Sequence, residues 1–188
     1  MMRGKAAMTR LPELPVEEMT PEQRRIHDAI AHGPRGSIGG PFLAWLRNPK
    51  FADAAQQVGE YCRFHTVLTR DLAEIAILVT AVHYRAEFEW WIHRQLAKTA
   101  GVPDHVMDSI LAGDEPEFED EKARMVWQTA RALNERHRLS DAEFEEAQKV
   151  LGENGLLDVV GLCGYYALVS LTLNTYEVPV PDGSSVFD

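Results

Sequence analysis

Signals that begin and end α-helices recur along almost the whole of this chain. Thr20-Pro21-Glu22-Gln23 places a capping hydroxyl, a proline and a glutamine where a helix starts, Asn48-Pro49 offers another cap, and Ser140-Asp141-Ala142-Glu143 is a capping box. Gly33-Pro34 and Gly101-Val102-Pro103 are stop signals. The predicted helices span about residues 21–32, 49–64, 70–84, 87–100, 103–112 and 120–136, one stretch that begins after Ser140, and about 156–174.

No segment shows the sustained apolar and polar alternation of a strand, and no hairpin dipeptide separates two β-rich runs. We therefore predict an all-α fold, a compact bundle of seven or eight helices in a single domain. The glycine- and proline-rich residues 33–41 are predicted to form a loop. Residues 1–19 are expected to be an N-terminal tail, residues 20–177 the helical domain, and the proline-punctuated residues 178–188 an extended tail.

Charge and composition narrow the functional classes. A net charge of −10 repels phosphate backbones and anionic lipid surfaces, so neither nucleic acid nor a membrane is an expected partner. An anionic small-molecule substrate would need local arginine. The apolar run 156–173 is long enough to span a membrane, but it contains Asp158 and two glycines, so a buried central helix is expected. The N-terminus lacks the apolar stretch of a signal peptide.

The two cysteines, Cys62 and Cys163, stand 101 residues apart, without CxxC or metal-ligand spacing. This usage fits a reduced, cytoplasmic setting. Cys62 is close in sequence to Arg63 and His65, which would favour a thiolate, but no resolving cysteine is near it. Arg63, and Arg35 in the glycine-rich loop, are the cations best placed in sequence to bind an anionic substrate.

The candidate chemistry lies between Leu68 and Gly101. Glu89 and His93 stand at i and i+4 on one helix face among aromatic residues, and Glu74 lies within the apolar stripe of the preceding helix. A buried acid must be paired or functional, and His93 is its natural partner. These residues predict either a proton-transfer site or a structural salt bridge. A metal site is not expected, because HExxH and facing ExxH motifs are absent.

Glu74, followed after a gap by AEFEWWIHRQLAKTAGV, resembles the carboxymuconolactone decarboxylase family of the AhpD-like superfamily. The stretches GPRGSIGGPFLAWLRNP, ILVTAVHYRAEFEWWIH and LVSLTLNTYEVPVP extend the resemblance over most of residues 20–181, and they are similar to the longer decarboxylase-like members. The resemblance implies the AhpD-like helical fold and a homo-oligomer, a trimer or hexamer.

The peroxidase branch of that superfamily carries a CxxCxxxH motif after a glutamate. The resemblance places its cysteine positions at Ala86 and Glu89, and its glutamate and histidine positions at Glu74 and His93. Because both cysteines are absent, disulfide-based peroxide reduction is disfavoured.

The resemblance therefore implies a cofactor-independent carboxy-lyase of aromatic catabolism, similar to γ-carboxymuconolactone decarboxylase. Such an enzyme acts on a lactone whose carbonyl takes up the electrons released with carbon dioxide. In this reading His93 is the proton donor or oxyanion partner, oriented by Glu74, and Glu89 shapes the local charge. Arg63 or Arg35 would bind a substrate carboxylate, and Trp90 or Trp91 would exclude water.

Two other functions stay open. One is a peroxidase-like oxidoreductase that works through Cys62. The other is a non-catalytic helical oligomer that binds a small molecule or a protein.

Overall fold

The computed structural model describes residues 9–12, 14–33, 36 and 38–187, and it contains eight α-helices within them. No strand occurs among these residues, which form a single domain, so the all-α prediction is confirmed. A short 3₁₀ turn, Val16–Glu18, precedes the helices. The helices are α1 (Pro21–Ala31), α2 (Phe42–Trp45), α3 (Pro49–Phe64), α4 (Arg70–His83), α5 (Glu87–Ala100), α6 (Asp104–Ala112), α7 (Glu121–Arg136) and α8 (Asp141–Thr175).

Side-chain caps fix several of the helix starts. The Thr20 hydroxyl accepts a hydrogen bond from the Gln23 amide, and the Gln23 side chain accepts one from the Thr20 amide, which completes a capping box. Ser140 and Glu143 form a second box, and the Asn48 side chain accepts from the amide of Phe51. These three helix starts were predicted from the same residues, because capping depends on side chains within one turn.

Two features differ from the sequence prediction. The four-residue helix α2 was not predicted, since it is too short to show a period. The stretch after Ser140 and the apolar run beyond it are one element, α8, which is kinked at Gly152, where φ is +75° and ψ is +169°. Only glycine adopts that conformation without strain, so the kink lies where the sequence allows it.

Helix α4 forms the centre of the core. Residues 72–81 are all buried, and the helix packs against α5, α6, α7 and α8. Helix α8 was expected to be the buried central helix, but it exposes Leu157, Val160 and Leu171 along one side. It is long and apolar enough to cross a membrane by length and composition, yet 61% of its most apolar window is buried against the rest of the protein.

The C-terminal segment follows α8 without further helix and lies along α5. The Glu87 carboxylate accepts hydrogen bonds from the amides of Val186 and Phe187, and the Trp91 indole donates to Asp182 at 2.7 Å. The segment therefore covers the outer side of α5, away from α4.

Candidate functional site

Glu74, His93 and Glu89 meet where α4 packs against α5. Nδ1 of His93 forms a hydrogen bond with Oε2 of Glu74 at 2.6 Å, and Nε2 of His93 forms an ion pair with Oε1 of Glu89 at 2.9 Å. The two helices are joined by a tight turn in which Arg85 has a φ of +50°, so α5 returns directly along α4. All three side chains are at least 95% buried.

Each ring nitrogen of His93 faces a carboxylate. A neutral imidazole carries one N–H and could satisfy only one of these contacts, whereas the imidazolium donates to both. Burial by itself lowers the pKa of His93, but the charges of Glu74 and Glu89 and the hydrogen bonds to both carboxylates outweigh it and raise the pKa to about 9. The histidine is therefore a buried cation at neutral pH.

Arg70 contacts the other oxygen of Glu74. Its guanidinium forms an ion pair with Oε1, but the two groups are not aligned for a hydrogen bond. The contact therefore offsets the negative charge of Glu74 without fixing the orientation of its carboxylate. The same side chain donates to the Arg63 carbonyl oxygen at 2.9 Å. Arg70 thus links the end of α3 to the buried carboxylate on α4.

A cleft of about 180 Å³ opens onto His93 and Glu89. It lies between α5, α8, the end of α3 and the loop before α2. The lining residues are Gly39, Gly40, Pro41, Arg63, Phe88, Glu89, Ile92, His93, Tyr165, Tyr166 and Val169. Most of the wall is apolar or aromatic, and the charged groups are Arg63, Glu89 and His93. Such a wall with a few convergent polar groups is typical of a small-molecule site.

Tyr166 lines the cleft beside the histidine. Its ring packs edge-on against His93, with centroids 4.9 Å apart and planes at 80°. Burial raises the pKa of the phenol well above its ordinary value, and the charges of Glu89 and Glu74 raise it further, against the opposing charge of Arg63. The hydroxyl therefore keeps its proton and can donate a hydrogen bond. Sequence reasoning missed Tyr166 because a tyrosine in an apolar helix is typical of core packing.

The structure brings one of the two predicted arginines to the cleft. Arg63 lines it and is half-buried, and it forms no ion pair with any residue that the structure describes. Its guanidinium carbon lies 5.7 Å from the Phe64 ring centroid. Arg35 lies outside the described residues.

The structure does not bring Trp90 and Trp91 to the cleft. Trp90 is buried against Phe187, with ring centroids 6.3 Å apart, and Trp91 donates to Asp182. Helical periodicity explains this, since each residue turns by about 100° around the axis and the face of residues 89 and 93 excludes residues 90 and 91. Phe88 and Ile92, which flank that face, line the cleft instead.

Neither cysteine lines the cleft. Cys62 is buried in the hydrophobic core, and Cys163 is held near Asn134, whose side-chain nitrogen lies 3.8 Å from the sulfur. Burial raises the pKa of the Cys163 thiol to about 11. Among the described residues, no group of three His, Cys, Asp or Glu side chains is arranged to hold a metal ion.

A larger cavity, of about 430 Å³, lies between α7 and the first part of α8. Its lining includes the Arg131–Glu135 and Arg136–Glu143 pairs, whose side chains are all more than a third exposed, and surface pairs of this kind contribute little energy. The pKa of Glu143 is lowered to about 2 by its hydrogen bonds to Ser140 and Arg136, which are contacts of a helix cap and not of a buried acid or base. We therefore place the candidate site at the smaller cleft, which contains the buried imidazolium.

The sequence matches no protein-family model and no curated protein. The structure is similar to a crystal structure described as an alkylhydroperoxidase AhpD core, an uncharacterized peroxidase-related protein from Ralstonia eutropha JMP134. The TM-score is 0.78, the identity is 15%, and the alignment covers 98% of this chain and 99% of the other. At this identity the similarity concerns architecture alone. The chain has the fold of the AhpD core, as its resemblance to that superfamily implied.

Proposed function

We propose that this protein is a cofactor-independent lyase that resembles γ-carboxymuconolactone decarboxylase and acts by acid–base chemistry on a small lactone or carboxylic acid of aromatic catabolism. The observation that carries the proposal is the His93 imidazolium, held between two buried carboxylates at the wall of a small apolar cleft. A protonated imidazole at a largely apolar wall is suited to deliver a proton to carbon.

The two contacts of His93 divide its roles. The Nδ1 contact to Glu74 is shorter and lies away from the cleft, so it fixes the orientation of the ring. The Nε2 contact to Glu89 is longer, and both residues line the cleft. We therefore assign the transferable proton to Nε2. Glu89 holds that proton in the resting site and releases it when a stronger acceptor forms in the cleft.

The reaction would proceed in two steps. As the carbon–carbon bond to the leaving carboxylate breaks, its electron pair moves into the lactone carbonyl, and carbon dioxide departs. The resulting enolate takes the Nε2 proton at carbon, and neutral His93 regains a proton from solvent. Tyr166, whose phenol stays protonated, would donate a hydrogen bond to the enolate oxygen, and Arg63 would bind a retained carboxylate.

The test is release of carbon dioxide from γ-carboxymuconolactone by the wild type, H93A and E74Q. We expect H93A to lose about 10²- to 10⁴-fold in turnover, and E74Q to lose less, because E74Q keeps the proton donor while it lowers the pKa of His93 and disturbs the orientation of the ring. H65A is the control, since His65 is exposed at the end of α3. Turnover by H93A at the wild-type rate would contradict the assignment.

A second candidate is a peroxidase-type oxidoreductase that uses Cys62. The peroxidase-related description of the structural neighbour fits this candidate about as well as it fits the lyase. Against it stand the burial of Cys62 and the residues Ala86 and Glu89 at the two cysteine positions. Peroxide consumption by the wild type that disappears in C62S would establish this candidate. Equal consumption by the two proteins would remove it.

We also propose that the protein assembles as a homo-oligomer. Its resemblance to the carboxymuconolactone decarboxylase family implies a trimer or a hexamer. Exposed apolar side chains on α3 and α8, among them Val58, Tyr61, Leu157 and Val160, support an interface there. The two helices adjoin, since the Tyr61 hydroxyl donates to Asp158. Light scattering coupled to gel filtration tests the assembly, and a monomeric mass at micromolar concentration would contradict it. A non-catalytic oligomer would show the assembly without turnover.

A further inference from the structure

The charges around the cleft nearly balance. Glu74 and Glu89 are negative, and His93, Arg70 and Arg63 are positive. Four of these five groups form one contact chain: Arg70 with Glu74, Glu74 with His93, and His93 with Glu89. That chain is neutral as a whole. Arg63 stands outside it, because no described residue forms an ion pair with its guanidinium.

The unmatched charge of the site is therefore one cation, which lines the cleft. A half-buried guanidinium next to an apolar wall gains most from a carboxylate, which it can bind through two parallel hydrogen bonds. A second anionic group on the same ligand would find no unpaired cation, because the charge of His93 is already matched by Glu74 and Glu89. It would instead share the cleft with the Glu89 carboxylate. Like charges brought together in a partly desolvated cleft repel strongly.

The size and wall of the cleft restrict the rest of the ligand. Its volume of about 180 Å³ is below the roughly 300–1,000 Å³ of pockets for drug-sized molecules. Phe88, Ile92, Val169 and Tyr165 present flat or branched apolar surface, and Gly40 lets the loop approach closely, since a Cβ there would lie 3.1 Å from the Phe88 ring. This space suits one ring.

We infer that the cleft selects small cyclic acids with a single carboxylate, bound to Arg63, and that Glu89 discriminates against a second carboxylate. The inference rests on the proposed function in taking this cleft as the substrate site. Glu89 thereby has a specificity role in addition to holding the His93 proton. In a lyase that removes one carboxylate from a dicarboxylate lactone, the monocarboxylate product would be held more tightly than the substrate.

Binding is tested by calorimetric titration with three probes that share one ring: benzamide, benzoate and isophthalate, with charges of zero, one and two. We expect benzoate to bind the wild type about tenfold or more tightly than either of the others. R63Q should lower the affinity for benzoate by about tenfold and leave the affinity for benzamide unchanged. R138Q, at an exposed arginine outside the cleft, should bind all three like the wild type.

E89Q removes the repelling charge and provides the decisive variant. It should raise the affinity for isophthalate about tenfold and bring it level with that for benzoate. Three results would overturn the inference: isophthalate binding the wild type as tightly as benzoate, benzoate binding unchanged in R63Q, or no binding of benzoate. The probe comparison on the wild type stands even if E89Q does not fold.

These outcomes are separate from those of the turnover assay. If the probes bind in the expected order but no lactone loses carbon dioxide, the proposed lyase function fails and the charge selection stands. If γ-carboxymuconolactone is decarboxylated while isophthalate binds more tightly than benzoate, the function stands and the charge selection fails.

Discussion

The raised pKa of His93 makes the stability of the protein depend on pH in a defined window. Folding raises this pKa from 6.5 to about 9, because the charges of Glu74 and Glu89 outweigh the cost of burial. A group whose pKa rises on folding stabilises the native state fully below its unfolded pKa. That contribution is lost as the pH rises through the folded pKa. The loss therefore falls between about pH 6.5 and pH 9.

The magnitude follows from the same change. Each pKa unit corresponds to about 1.4 kcal/mol, so the contribution of His93 is about 3 kcal/mol below pH 6.5 and near zero above pH 9. No discount for solvent screening applies, because the side chain is only 5% exposed. Over this window the unfolding free energy should fall by up to about 1.4 kcal/mol per pH unit from this residue alone.

The assay is urea unfolding of the wild type and H93Q at several pH values from 6 to 10. Cysteine, tyrosine and lysine side chains titrate in both proteins, so the difference between the two curves isolates His93. We expect that difference to shrink by about 3 kcal/mol from pH 6 to pH 9.5. H65Q, at an exposed histidine, should run parallel to the wild type. A constant difference between wild type and H93Q would refute the imidazolium assignment, as would an NMR titration of His93 with a midpoint near 6.5.

Three further predictions concern the surroundings of the site. D158N should lower the unfolding free energy by about 1–3 kcal/mol in urea, because the buried Asp158 carboxylate accepts hydrogen bonds from the Tyr61 hydroxyl and from the backbone of the α3–α4 turn; Y61F, which removes one of these bonds, should cost about 1 kcal/mol. G40A should destabilise by about 1–2 kcal/mol and weaken benzoate binding, because φ is +57° there and the new methyl group would press on Phe88; unchanged values in both assays would contradict this. Cys163 should resist a thiol reagent at pH 8 in the native state and react on unfolding, because its pKa is about 11; rapid native labelling would contradict the buried placement.

The helix starts were predictable because their causes are local. Both capping boxes, Thr20 with Gln23 and Ser140 with Glu143, join residues within a single turn. The local sequence is therefore enough to predict them. Helix α2 lacks such a cause. It is held by long-range contacts, such as the bond from the Trp45 indole to the Thr172 hydroxyl, and no local pattern encodes these.

The contact between Glu74 and His93 was predictable for an energetic reason. An acid in the most apolar helix needs a partner, and the following helix offers one histidine on the matching face. Arg70 could have been found as well, since it stands four residues before Glu74 and so shares its face. Tyr166 could not, because only the packing of α8 against α5 brings it to the histidine.

The orientation of Trp90 and Trp91 follows from the contact between Glu89 and His93 on the same helix. Once Glu89 and His93 define the face of α5 that borders the cleft, the 100° step of the helix turns Trp90 and Trp91 away from the cleft. There they pack against the C-terminal segment through Phe187 and Asp182. Aromatic density around a candidate site therefore indicates burial of the helix, whereas the phase of the helix decides which rings reach the ligand.

The Glu89 carboxylate contacts Nε2 of His93, raises the pKa of that imidazole and leaves a negative charge at the wall of the cleft. The same side chain thus stabilises the proton on His93 and contributes to the charge that a ligand meets. Replacing Glu89 should therefore alter proton transfer and ligand charge preference together, whereas replacing Glu74, which does not line the cleft, should alter proton transfer alone.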